Sequence, residues 1–309
     1  MKVHNSLDSV TKISNAVVTT GTFDGVHLGH QKILKKLNKL ARDCRGESVL
    51  FTFFPHPRMV LFPNDHGLKL LNTLEEKKER LAASGLDHLI VHPFSHEFSR
   101  LSALQYVRDI MVNTLSVHTI VVGYDHHFGR NREGNLELLH EFSQTFDFGV
   151  EVISALDVEE VNVSSTKIRR SIGEGNIHLA NDYLGYRYSF TGKVIKGEQR
   201  GRLLGFNTAN IEVSSELKII PSFGVYAVNV LLKGKIYRGM LNIGMNPTFN
   251  NNDDTHIEVH ILDFDLDIYG EILTIELVKK LRDEIKFNSK EDLVQQLSKD
   301  RRITIKTLR

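Results

Sequence analysis

Two imidazoles three residues apart, His27 and His30, are the first groups along the chain able to do chemistry together. They lie in the run Gly21-Thr22-Phe23-Asp24-Gly25-Val26-His27-Leu28-Gly29-His30, which continues with helix-like residues to Leu34. Gly21, Gly25 and Gly29 permit tight turns and close approach of a ligand, and a helix opening at the histidines points its positive dipole end at that ligand. A phosphate suits such a place. The same spacing could instead form half of a metal site, although no Cys and no pair of carboxylates stands nearby. A second string, Val163-Ser164-Ser165-Thr166-Lys167-Ile168-Arg169-Arg170, sets hydroxyls beside cations. Ser164 and Thr166 can hydrogen-bond phosphate oxygens and Arg169 can hold two of them at once, while alone the string also reads as a solvated helix start.

A third stretch runs from Gly197 to Asn210 and carries Gly197, Gly201 and Gly205 with Arg200 and Arg202. It is either a flexible cationic loop for nucleotide phosphates or a glycine-rich turn between strands. Thr208 and Asn210 alternate on a strand and share one face, where two neutral oxygens suit Mg²⁺ shared with phosphates. Glu258 alternates with apolar residues in Ile257-Glu258-Val259-His260-Ile261, so it shares a face with His260. A carboxylate there could take a proton from an attacking hydroxyl, or simply face solvent.

These groups need elements to hold them. From about 16 to 182, apolar runs at 16–20, 48–54, 88–91, 119–123 and 150–153 alternate with helical stretches. Ile33, Leu34, Leu37 and Leu40 make one helical face, and Leu101, Leu104, Val107, Met111 and Leu115 make another. Strand then helix, repeated, implies a parallel sheet covered on both faces, with its ligand crevice beyond the carboxyl ends of the strands. After about 183 the period changes, and six β-branched and aromatic runs follow at 188–195, 208–213, 225–232, 235–243, 256–264 and 272–278. Short turns, including Lys233-Gly234, predict a six-stranded antiparallel β-barrel, closed because closure removes exposed edges. An amphipathic stretch at 289–297 starts with Ser289 as N-cap. The expected domains are therefore 1–182 and 183–309.

The chain has 309 residues, 41% hydrophobic and 25% charged, with a net charge of +1 that divides as −2 before residue 182 and +3 after it. Neither half offers bulk attraction to nucleic acid or to an anionic membrane, so neither partner is expected. The single cysteine, Cys44, excludes an internal disulfide and thiolate-rich zinc sites, and it fits a reducing cytoplasm. No apolar run approaches the 18 or so residues of a membrane span, and no signal peptide is expected.

Taken together, GxFDGxHxGH, FxPHP at 53–57, a GxDxxFG loop at 123–129, SSTxIR at 164–169, GRxxGFxTAN at 201–210, and the runs at 242–249, 257–264 and 282–287 resemble, in order, the prokaryotic bifunctional riboflavin kinase/FAD synthetases. The resemblance covers about residues 15 to 300. It implies an α/β plus β architecture, with a Rossmann-like nucleotidyltransferase domain followed by the barrel and a terminal helix. It implies that the barrel phosphorylates riboflavin with MgATP to FMN, and that the first domain adenylylates FMN with ATP to FAD and pyrophosphate. Carried over residue by residue, His27, His30 and Arg169 act in adenylyl transfer, with Gly21, Thr22, Phe23, Asp24, Gly29, Ser164 and Thr166 around the nucleotide. In the kinase, Glu258 is the base, Thr208 and Asn210 hold Mg²⁺, and Gly197, Gly201, Arg202 and Gly205 enclose the nucleotide. Phe54, His56, Pro57, Asp125, Asn246 and Arg282 are the implied flavin contacts, and no tightly bound redox cofactor is required. Asn207 stands where the family usually has Pro, and His126 and His127 where it often has Phe and Arg. An adenylyltransferase of another substrate and a flavin-binding protein without turnover are the competing readings, and the oligomeric state is left open.

Overall fold

The computed structural model describes residues 1–64, 67–154, 163–197, 206–245 and 255–308. The chain divides into two compact units, Met1–Ser164 and Ser165–Arg309.

The first unit is built on a six-stranded parallel sheet: β1 (Lys2–His4), β2 (Ala16–Thr20), β3 (Ser48–Phe54), β4 (His88–Pro93), β5 (Val117–Gly123) and β6 (Gly149–Ile153), in the order β1-β4-β3-β2-β5-β6. Side chains from both faces of its central strands are buried. Val18, Val49 and Phe51 pack in one cluster with Val107 and Met111, while Val17, Leu50, Leu89 and Val121 pack in another with Leu34, Leu37 and Leu81. That two-sided burial is why these strands read as unbroken apolar runs rather than alternating ones. The chain leaves β2 toward β3 on one side and reaches β5 on the other, so the order reverses at β2 and a crevice opens beyond its carboxyl end. The helices around the sheet include α1 (Leu28–Asp43), α2 (Pro57–Leu61), α3 (Leu74–Ala83), α4 (Ala103–Gln105) and α5 (Leu136–Phe146).

Two elements differ from expectation. Strand β1 pairs with β4 through Lys2↔His88, Val3↔Leu89 and His4↔Ile90, and is too short to leave a pattern in the sequence. Beyond α4 the chain continues as a π-helix, Tyr106–Thr114, in which Leu115 N donates to Ile110 O at 2.9 Å. The wider turn breaks the expected face: Val107, Met111 and Leu115 are buried, but Leu104 is exposed.

The second unit begins with α6 (Ser165–Gly173) and α7 (Ile177–Leu184). Asn181 on α7 donates to Leu277 O and accepts from Tyr188 N, which seats the helix on the barrel. The barrel strands are β7 (Ser189–Ile195), β8 (Ala209–Val213), β9 (Gly224–Leu232), β10 (Lys235–Met245), β11 (Thr255–Ile261) and β12 (Ile272–Arg282). They close in the order β10-β11-β8-β7-β12-β9, antiparallel throughout. Lys233 (φ 49°) and Gly234 (φ 76°) make the two-residue β9–β10 turn, both in the left-handed region that such tight hairpins require. The last helix, α8, spans Lys290–Thr307, longer than its amphipathic stretch suggests, and the Ser289 hydroxyl caps it by accepting from Asp292 N.

Candidate active sites

The loop after β2 folds back tightly. Phe23 (φ 47°) and Val26 (φ 36°) hold left-handed backbone, an unusual conformation for a β-branched residue, and both side chains are buried. The fold around them fixes where α1 begins. His27 is the N-cap of α1, and His30 N donates to its Nδ1 at 3.4 Å, so the proton of the neutral ring belongs on Nε2. The two imidazoles stack with centroids 3.7 Å apart, and Phe23 stacks on the other face of His30. A Cβ on Gly29 would press on the His27 ring at 3.3 Å. Burial, followed by the neighbouring His27 and Lys77, holds the His30 imidazolium well below its ordinary pKa, so His30 is a neutral donor and acceptor at pH 7. Among the described residues its Nδ1 is buried without a hydrogen-bond partner.

Asp24 is buried, and its carboxylate accepts from Leu71 N and Asn72 N, tying the 70–72 segment to the loop. Thr22 contributes its carbonyl, which accepts from Lys77 Nζ at 3.1 Å. At the end of β3, Phe54 is partly exposed, and His56 caps α2 by accepting from Arg58 N, with Pro57 at the first helical position. Thr22, Asp24, Phe54, His56 and Lys77 line one small recess. Asp125 is exposed in the loop after β5. Beside it His126 stacks on Phe128, and burial pushes its pKa down to about 4.

In the barrel, Ile257, Val259 and Ile261 are buried while His256, Glu258 and His260 take the alternate face. Glu258 pairs in register with Asn210 on β8 and with Asn242 on β10, which sets three polar side chains side by side on one face. Glu258 Oε1 lies 2.7 Å from His256 Nε2. A cavity of about 270 Å³ is lined by Glu258, Asn242, Thr208 and Arg282, with Phe287 and Leu293 on its apolar side. Arg282 Nε donates to Asp300 Oδ2 at 2.9 Å, and Asp300, which is fully buried on α8, also accepts from Gln296. A second cavity of about 290 Å³ has Thr208 in its wall as well, together with Val194, Ala209, Phe264, Asp267 and Tyr269. Gly197 is close enough to Asn210 that a Cβ there would overlap the amide. Asn207 O accepts from His260 Nδ1 at 2.7 Å.

Two family models match this chain in succession, FAD synthetase over residues 10–167 and riboflavin kinase over residues 184–308. A Listeria monocytogenes protein named bifunctional riboflavin kinase/FMN adenylyltransferase is 40% identical, covering 94% of this chain and 91% of its own length. The chain belongs to the bifunctional riboflavin kinase/FMN adenylyltransferase family. The family protein of Escherichia coli K12 is 35% identical over 92% of this chain and 90% of its own. A solved structure from Streptococcus pneumoniae, described as a macrolide-efflux protein, superposes with a TM-score of 0.89 at 32% identity and covers 98% of both chains. Among the described residues, no helix is long and apolar enough to cross a membrane.

The motif residues of this family fall into separate groups. Gly21 to His30 gather at the carboxyl end of β2 in the first unit, with Phe54, His56 and Pro57 at the end of β3. Ser164 is the last residue of the first unit, whereas Thr166 and Arg169 lie on α6 in the second. Thr208, Asn210, Glu258 and Arg282 belong to the barrel, and Gly201, Arg202, Gly205 and Asn246 lie outside the described residues. Sequence reasoning missed Lys77, Asp300 and the 265–269 wall. Lys77 sits in the charged string Glu75-Glu76-Lys77-Lys78-Glu79-Arg80, which reads as a solvated helix face.

Proposed function

We propose that the two activities of this bifunctional riboflavin kinase/FMN adenylyltransferase run at two separate sites, with functional domains at 1–182 and 183–309. One observation carries the kinase half: Thr208 lines two of the barrel cavities, and Glu258 stands in only one of those two. A phosphoryl transfer needs two substrates meeting at a shared wall. Riboflavin fits the cavity with the apolar side and Arg282, and the nucleotide fits the cavity walled by 264–269. Glu258 then takes the proton of the ribityl 5′-hydroxyl as that oxygen attacks the γ-phosphorus, and the bond to the β–γ bridging oxygen breaks with its electron pair leaving on ADP.

The donor set suits Mg²⁺: Thr208 and Asn210 supply neutral oxygens, and phosphates complete the shell of an ion that keeps several non-protein ligands. When bound, Mg²⁺ neutralises charge on the transferred phosphoryl group. Gly197 leaves room for the Asn210 amide, and Gly201, Arg202 and Gly205 are assigned on the motif alone.

For adenylyl transfer, a phosphate oxygen of FMN attacks the α-phosphorus of ATP, and the electron pair leaves on pyrophosphate. No general base is needed, because the attacking phosphate is already an anion. His27 and His30 donate to phosphate oxygens from the α1 N-terminus, and Phe54 with His56 flanks the flavin side. The roles of Ser164, Thr166, Arg169 and Asp125 rest on the motif alone, as does that of Asn246 in the kinase. A cytoplasmic location follows from the need for ATP and from the unpaired Cys44. Incubating riboflavin with MgATP and separating the flavins tests the proposal: FMN and then FAD are expected, and a protein that makes neither would overturn it.

A further inference from the structure

Lys77 is buried, with only 7% of its surface exposed, and its ammonium stands in the adenylyl-transfer unit with few partners. Thr22 O is the one hydrogen-bond acceptor that Nζ meets among the described residues. Asp24 faces it electrostatically, but the Asp24 oxygens accept from Leu71 N and Asn72 N. Two N–H bonds of a desolvated cation are thus left unspent, an arrangement proteins avoid unless something else completes it. The recess that Lys77 lines has a volume of about 20 Å³, the space of one water molecule or one phosphate oxygen. Thr22, Asp24, Phe54 and His56 line the same recess.

The charge arithmetic of the reaction points the same way. Two anions, the FMN phosphate and the α-phosphate of ATP, must approach each other. His30 is held neutral by burial and by its neighbours His27 and Lys77, so it brings hydrogen bonds and not charge.

Resting on the reading of this unit as the adenylyl-transfer site, we infer that Lys77 is the cation that meets the reacting phosphates, donating from Nζ to a non-bridging phosphate oxygen seated in the recess. Burial pushes the Lys77 pKa down to about 8 against the pull of Asp24. Rising pH therefore removes the proton on which the contact depends, and phosphate binding favours its retention. The titratable groups around it are Asp24, His30 and His56.

The test uses full-length protein with added FMN and MgATP from pH 6.5 to 9.5, comparing the parent, Lys77→Gln and Lys77→Arg, with riboflavin phosphorylation measured on the same preparations. Lys77→Gln can still donate to the Thr22 carbonyl but carries no charge. It is expected to lose roughly 10²–10³ in kcat/KM for FAD formation, with riboflavin phosphorylation unchanged. The parent kcat/KM should fall above about pH 8, and Lys77→Arg should carry that limb beyond about pH 9, because a guanidinium keeps its proton. Whichever KM rises, that for FMN or that for ATP, identifies the phosphate. Lys77→Gln within about threefold of the parent, or a Lys77→Arg limb unmoved, would leave Lys77 as a tie to the loop alone. Should either variant fail to fold, a parent profile flat to pH 9.5 would overturn the inference and a limb near 8 would uphold it. A parent that makes no FAD would instead count against the functional reading.

Discussion

Glu258 is the proposed kinase base: register sets Asn210 and Asn242 beside it, and the cavity it lines also holds Thr208 and Arg282. Glu258→Gln keeps shape and hydrogen bonding but accepts no proton, and should lower riboflavin phosphorylation by about 10²–10⁴ while riboflavin still binds. Flavin fluorescence titration beside a product assay separates those outcomes. A pH effect belongs to His126. Its folded pKa of about 4 lies below the ordinary imidazole value, so between about pH 6.5 and 4 the unfolded chain holds a proton that the folded chain does not. Folding of the first unit is therefore destabilised as pH falls through that window. His126→Phe should recover on the order of 1–2 kcal/mol of the loss between pH 7 and 5 in thermal melts. His30 and His92, also lowered by burial, keep the remaining slope in the same direction. Residues with a motif around them could be proposed from the sequence. Lys77 and Asp300 were not, because each takes its meaning from partners far along the chain: Thr22 and Asp24 for the one, Arg282 for the other.

Strands with β-branched runs were legible as elements because burial on one or both faces selects those side chains, and β2, β3 and the Lys233-Gly234 hairpin lie where the pattern predicts. Strand β1 was not, since three residues carry no period. It is held instead by pairing, and by a hydrogen bond of 3.0 Å between His4 Nε2 and His88 Nδ1. The π-helix was missed for a different reason: a face counted at 3.6 residues per turn puts Leu104 inside, and the wider turn leaves it out. At this scale Asp300 joins α8 to β12 through Arg282. Asp300→Ala leaves Arg282 without its buried partner and should cost about 3–5 kcal/mol in unfolding of the second unit. Because Arg282 lines the cavity with Glu258, the same variant should raise the KM for riboflavin and leave FAD formation from added FMN unchanged.

The change of strand period near residue 183 marks the start of the barrel, whereas the compact units part at Ser164 and Ser165, because α7 bonds to the barrel at Leu277 and Tyr188. A change of period reports where strands begin, not which side a preceding helix packs on. Residues 165–309 expressed alone should therefore fold, make FMN from riboflavin and MgATP, and make no FAD. A fragment beginning at 183 lacks the Asn181 bonds and should melt lower. The central claim is that the two activities occupy independent sites, and complementation tests it most directly. Glu258→Gln alone should yield almost no FMN from riboflavin, and His30→Ala alone should stop at FMN, with about 10²–10³ less FAD. Mixed in equal amounts with riboflavin and MgATP, the two variants should restore FAD, as FMN released by one protein is adenylylated by the other. A mixture that makes no FAD, or a His30→Ala protein that loses both activities together, would contradict the two-site account.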